Sequence, residues 1–126
     1  MTRFVRQKTF DKDLKKLKIK SIEEDLLVFQ KAFTVSKTNL KGCVQCSGFE
    51  KQHIHIPIFK QREFRCRSIP KGSQSGVRII FTYLEEQDIA LYVEAYHKNK
   101  KDNYDLERIK TMFKHKTKEE IIHEWT

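Results

Sequence analysis

Apolar residues recur at helical spacing twice near the start of the chain, first at Phe10, Leu14 and Leu17 and then at Ile22, Leu26, Phe29 and Phe33. Recurrence every three to four residues places each set on one stripe of a helix. Thr9 is positioned to cap the first helix, with Asp11 and Asp13 near its positive end. Ser21 and Glu24 have the spacing of a capping box for the second. A short strand over Arg3 to Gln7 precedes this helix hairpin. From about Val35 to Gln61 the pattern is mixed, with Gly42, Gly48 and the alternating segment HIHIPIF. Pro57 argues against a central strand there, so the stretch reads as a long loop with an edge segment near Ile54 to Phe59.

Beyond that loop the period becomes two. Alternation over Phe64 to Ser68 puts Arg65 and Arg67 on one face and Phe64 and Cys66 on the other. In the next segment Val77, Ile79, Phe81 and Tyr83 form an apolar face, leaving Arg78 on the opposite one. A third segment turns Ile89, Leu91, Val93 and Ala95 inward and Tyr92, Glu94, Tyr96 and Lys98 outward. The three predict one antiparallel sheet, buried on one face and presenting Arg65, Arg67, Arg78, Tyr96 and Lys98 on the other. Leu106, Ile109 and Phe113 mark a further helix over Tyr104 to Phe113. Thr117 and Glu120 form another capping-box pair before a short terminal helix over about 117–125. The expected class is α+β: an N-terminal strand and helix hairpin packed on a small antiparallel sheet, with C-terminal helices, in a single domain over 1–126.

Charge gives the polar face a meaning. Among 126 residues, 26 Lys and Arg stand against 17 Asp and Glu, a formal net charge of +9. That excess favours a polyanionic partner. Lys12, Lys15, Lys16 and Lys18 surround the stripe of the first helix and read as a solvated face. The strand arginines differ, because a guanidinium makes forked hydrogen bonds to phosphate that an ammonium cannot. No apolar run approaches the roughly 18 residues of a membrane span, so a soluble, cytoplasmic protein without membrane association is expected. Three cysteines without an export signal point to reduced thiols. Cys43, Cys46, His53 and His55 combine one zinc-like spacing with an irregular one, and no metal or other cofactor is expected.

The order strand, helix hairpin, three-strand meander and closing helix, carrying FRCR, GVRIIF and AYHKNKKDNY, resembles the RelE/ParE toxin superfamily, and within it the RelE and HigB-like ribonucleases of type II toxin–antitoxin systems. The resemblance covers roughly residues 4 to 113. It implies metal-independent cleavage of mRNA in the ribosomal A site and restraint by a cognate antitoxin. Carried over by position, Arg78 matches the arginine near the scissile phosphate, Lys98 stands where a second arginine is frequent, and Tyr104 matches the C-terminal tyrosine of the site. Arg65 and Arg67 match a basic pair, and Lys71 lies in a loop longer than that of the smallest relatives. Expected roles are catalysis for Arg78, Lys98, Tyr104 and His97, and RNA binding for Arg65, Arg67, Lys71 and Tyr96.

Chemistry leaves some choices open. RNA cleavage without a metal needs the 2′-hydroxyl deprotonated, the phosphorane charge neutralised and the leaving oxygen protonated. Arg78 suits the second task, although it could instead pair with Glu94 across the sheet. His97 titrates nearest neutrality, yet its parity points it towards the core with Ala95, where backbone hydrogen bonds could satisfy it. Lys98 and Tyr104 would need depressed pKa values to act as bases. Tyr96 reads as a stacking or packing surface. Two other functions fit the same fold: a ParE-like inhibitor of DNA gyrase without enzymatic activity, and an inactive relative that only binds RNA or antitoxin.

Overall fold

The chain folds as α+β, and the computed structural model describes residues 1–71 and 74–126. Strand β1 (Arg3–Val5) leads into helices α1 (Lys8–Leu17) and α2 (Ile22–Ser36). Strands β2 (Cys43–Cys46), β3 (Ile58–Gln61), β4 (Val77–Leu84) and β5 (Ile89–His97) follow, and helices α3 (Leu106–Phe113) and α4 (Lys118–Trp125) close the chain. The sheet has five strands in the order β1-β5-β4-β3-β2. It is mixed and not wholly antiparallel, because β1 runs parallel to β5 with Phe4 opposite Ala90. Among the described residues no helix is long and apolar enough to cross a membrane.

Both faces of the sheet are covered, which corrects the expectation of a single buried face. On one side, Phe10 and Leu14 of α1 and Leu26, Phe29 and Phe33 of α2 pack on Val77, Ile79, Phe81, Tyr83, Ala90, Tyr92 and Ala95. Aromatic rings dominate this layer, with Phe10 stacked on Tyr92 at 4.6 Å between centroids. On the other, Ile109 and Phe113 of α3 and Ile121 and Trp125 of α4 cover Ile80, Leu84, Ile89, Leu91 and Val93. The terminal helix is docked, with Ile121 fully buried. It also carries the capping box predicted for it, Thr117 with Glu120. The box predicted at Ser21 does not form, because the Ser21 hydroxyl donates to Asp25 Oδ2 at 2.7 Å instead. Likewise Gln7, two residues before the expected Thr9, occupies the N-cap of α1.

A bulge in β5 explains why one alternating reading cannot serve the whole strand. Ile80 pairs with Glu94, but the next residue, Phe81, pairs with Tyr92, so Val93 is an extra residue on its strand. An inserted residue reverses side-chain parity beyond it. Ile89, Leu91 and Val93 therefore face α3 and α4, not the helix hairpin, while Tyr92 joins the aromatic layer. Beyond the bulge, Ala95 and His97 pair with Ile79 and Val77 on the hairpin side, and Glu94 and Tyr96 lie opposite Ile80 and Arg78.

Two further expectations are corrected. The stretch read as a long loop contains β2 and β3, and β3 is an internal strand between β2 and β4. Pro57 does not break it because it stands immediately before Ile58, outside the ladder where its missing N–H would matter. Conversely, Phe64 to Ser68 is not a strand of the sheet. Phe64 and Cys66 are buried as their alternation predicts. The backbone donors, however, go to α2 and its cap: Arg67 N–H to Asp25 Oδ1 at 2.9 Å and Ser68 N–H to Ser21 Oγ at 2.9 Å.

Candidate functional site: a cationic groove at the end of the sheet

Helices α3 and α4 do not reach the end of the sheet where β3 leaves, β4 begins and β5 finishes. There a groove of about 440 Å³ is lined by Lys60, Arg62, Arg78, Lys98, Tyr96 and Tyr104 among others. Register explains the convergence. Lys60 lies opposite Ile80 on one side and Val44 on the other, on the face that Arg78 and Tyr96 share. Lys98 follows the last residue of β5, and its N–H donates to the Gly76 carbonyl at 2.9 Å. An adjoining hollow of about 790 Å³ shares Arg62, Arg78 and Lys98 and adds Lys71 and His97.

Arg78 does not pair with Glu94. Its Nη1 donates to the Arg62 carbonyl at 2.9 Å, and the side chain remains half-buried. A backbone carbonyl fixes the direction of a guanidinium without neutralising it, so the charge stays available to an anion. Glu94 is instead buried and spent on the loop after β5, where its Oε1 accepts Asp105 N–H at 2.7 Å and its Oε2 accepts the Lys101 ammonium. Asp105 in turn caps α3 by accepting Arg108 N–H at 3.1 Å. Arg108 makes a two-pronged pair with Asp13 of α1, at 2.6 and 3.1 Å, and also donates to the Val93 carbonyl at 3.1 Å. Asp13 Oδ2 accepts Ala95 N–H at 3.1 Å, a donor on the β5 edge beyond the reach of β1. The loop bearing Lys98, Asn103 and Tyr104 is thus tied to the bulged part of β5 and to α1.

Tyr104 packs on Phe49 at 5.4 Å between ring centroids, and the Lys60 ammonium lies 5.6 Å from the Tyr104 ring centre. Lys60 is held there by Asn103 Oδ1 at 3.0 Å. Burial raises the pKa of Tyr104 above its usual 10.0. Burial also pushes Tyr96 up to about 12, with Glu94 adding to the rise and Arg78 opposing it. The depression that a base would need is therefore absent from both phenols. Each is a neutral hydroxyl donor near neutral pH. Tyr96 is only 6% exposed, too little to serve as the stacking platform expected of it.

His97 sits on the hairpin side of β5, as its parity implies. Asn99 N–H donates to its Nδ1 at 3.1 Å, so Nε2 carries the proton and faces the Ser75 carbonyl at 3.1 Å. The ring fills the space beside Gly76, whose φ is +87° and where an added Cβ would lie 2.5 Å from Nε2. Both ring nitrogens are held by the backbone.

Arg67 belongs to another surface, where its guanidinium pairs with Glu24 of α2 at 3.3 Å. Arg65 is exposed on the same segment. The basic pair of the groove is instead Lys60 and Arg62, which sequence reasoning missed. Their only signal was spacing: Lys60 and Arg62 are two apart, which on an extended chain puts them on one face. Cys43 and Cys46, three apart on β2, pack with opposite layers of the core. Burial raises all three thiols, Cys43 and Cys66 to about 11, so none is a ready thiolate. Compared with models of known protein families, with curated proteins and with solved structures, the chain matches none.

Proposed function

We propose that the protein is a metal-independent endoribonuclease that cuts mRNA in the ribosomal A site, the toxin half of a type II toxin–antitoxin pair. One observation carries the reading: four cations, Lys60, Arg62, Arg78 and Lys98, and the phenol of Tyr104 line a single groove. Such a groove draws in an RNA backbone and places fixed positive charge around one phosphate. The sequence resemblance supplies the ribosomal setting and the antitoxin. The order of strand, helix hairpin and antiparallel strands with a closing helix is compatible with it.

In this reaction the 2′-oxygen bonds to the adjacent phosphorus and the bond from phosphorus to the 5′-oxygen breaks, leaving a 2′,3′-cyclic phosphate and a 5′-hydroxyl. Arg78, with Arg62 and Lys98, balances the charge that grows on the non-bridging oxygens. Tyr104, kept protonated, donates to the departing 5′-oxygen. The 2′-hydroxyl proton leaves to solvent, and the surrounding cations stabilise the oxyanion it leaves behind. His97 takes no part, because its nitrogens are engaged.

Single-turnover cleavage of mRNA on programmed ribosomes tests this. Arg78→Ala should fold normally and lose about 10²–10³-fold in rate, the usual cost of removing one fixed transition-state donor. The wild-type rate should rise through neutrality without an inflection near the usual histidine pKa of about 6.5. A folded Arg78→Ala protein as fast as wild type would overturn the assignment. Intact mRNA together with a DNA-damage response would point to gyrase instead.

A further inference from the structure

The groove does not stop at Tyr104. Past the end of β2 it opens into a second hollow of about 700 Å³, sharing Gln45, Cys46 and Ser47 with the cationic one. Phe49 is the wall between them, packed on Tyr104 at 5.4 Å on one side and lining the hollow on the other. The chemistry changes across that wall. No lysine or arginine lines the second hollow among the described residues, and its one charged side chain is Glu50. Phosphate would find no counter-charge there, whereas in the cationic groove four cations outnumber the single carboxylate, Asp102. The half-buried Cys46 and Pro57 instead offer apolar surface, and the exposed Ser47 and His55 offer hydrogen-bonding edges. The shape is also held in place, since Gln52 N–H and Ile54 N–H both donate to the Phe49 carbonyl, at 2.9 and 3.1 Å.

Building on the nuclease reading, we infer that this hollow receives the nucleobase next to the scissile phosphate and sets the enzyme's sequence preference. An unpaired base has an apolar face and polar edges, the combination lining this pocket. A strand whose phosphate lies among Arg62, Arg78 and Lys98 places a neighbouring base beyond Tyr104, in this hollow. Ser47 and His55 then read its edge. They are specificity residues and not catalytic ones.

The test uses ribosomes programmed with mRNAs that differ in one base of the A-site codon, and compares kcat/KM between them for the wild type, Ser47→Ala and His55→Ala. Both residues are exposed, so neither change threatens the fold. The ratio between preferred and disfavoured bases should fall from about tenfold or more towards unity, as when a hydrogen-bonded base contact is removed. Lys60→Ala should slow all codons alike. Ser47→Trp, which places a bulky ring where the two hollows meet, should lower the rate on the preferred codon most. Unchanged ratios in Ser47→Ala and His55→Ala, with cleavage intact, would sink the inference and leave the nuclease standing. A wild type that cuts no codon at all would instead remove the reading on which it rests.

Discussion

Arg78 and Tyr96 lie directly opposite each other across β4 and β5, a permanent cation facing a phenol that burial holds protonated up to about 12. The pair gives the groove positive charge and a neutral hydroxyl side by side. Neither residue is neutralised by the other.

That protonation can be read directly. The chain has four tyrosines. Burial is the leading cause that lifts each above its usual 10.0, with Tyr83 and Tyr96 both reaching about 12. The native protein should therefore develop tyrosinate absorbance at higher pH than the urea-unfolded chain does. Because the folded values are raised, the phenols' contribution to stability is complete below pH 10 and declines between about 10 and 12. Coincident native and unfolded titration curves would contradict the burial described.

Glu94 is the acceptor that secures the loop after β5. Glu94→Ala leaves Asp105 N–H without its partner and Lys101 without its carboxylate. Because Lys101 is 37% exposed, its half of the loss is discounted for screening. Denaturant unfolding should show a loss of about 2 kcal/mol, most of it from the orphaned donor. Amide exchange at Asp105 should quicken. Unchanged stability with slow exchange at that amide would show that the loop is held by something else.

Asp88 ties three parts of the chain together at the β4–β5 turn. Its carboxylate accepts from Tyr83 Oη at 2.7 Å, Thr2 Oγ1 at 2.8 Å and Lys37 Nζ at 3.1 Å. These hydrogen bonds, Tyr83 first, lower its pKa from 3.8 to about 2. A depressed value means that the stabilisation is complete above about 3.8 and disappears as pH falls towards 2. Asp88 also has φ +54°, a conformation asparagine tolerates. Asp88→Asn should accordingly fold, melt below wild type at pH 6, and show a smaller drop in Tm on acidification to pH 2. Parallel acid profiles for the two proteins would rule out this carboxylate as the source.

Thr82 is fully buried beside Leu91, and its Oγ1 meets no hydrogen-bond partner among the described residues. Removing a desolvated hydroxyl without changing side-chain shape is neutral or stabilising. Thr82→Val should raise stability by about 1 kcal/mol, measured as a higher denaturant midpoint. A lower midpoint would mean that the hydroxyl has a partner after all.

The parts of this fold that could be read in the sequence are those where one period runs uninterrupted. Phe10, Leu14, Leu26, Phe29 and Phe33 are buried as their spacing required, and the alternation of Val77, Ile79, Phe81 and Tyr83 assigns β4 to the hairpin side. The alternation at Phe64 and Cys66 gave the correct burial and the wrong neighbour. Period two reports that alternate residues are covered, not that a strand covers them, and here α2 does so. Pro57 argues against a central strand and for an edge segment ending at Phe59, whereas it only precedes the internal strand β3, so Lys60 and Arg62 go unnoticed. Val93 was beyond any periodic reading, since nothing in its identity distinguishes an inserted residue from a paired one.

The extra residue in β5 decides which chemistry the molecule displays. Had β5 kept strict alternation through Val93, with no bulge, Ala95 and His97 would face the groove while Glu94 and Tyr96 turned under α1. An imidazole would then stand opposite the arginine side of β4, and a carboxylate would be driven into the aromatic layer. One bulge separates a surface built from arginine and phenol from one built around histidine.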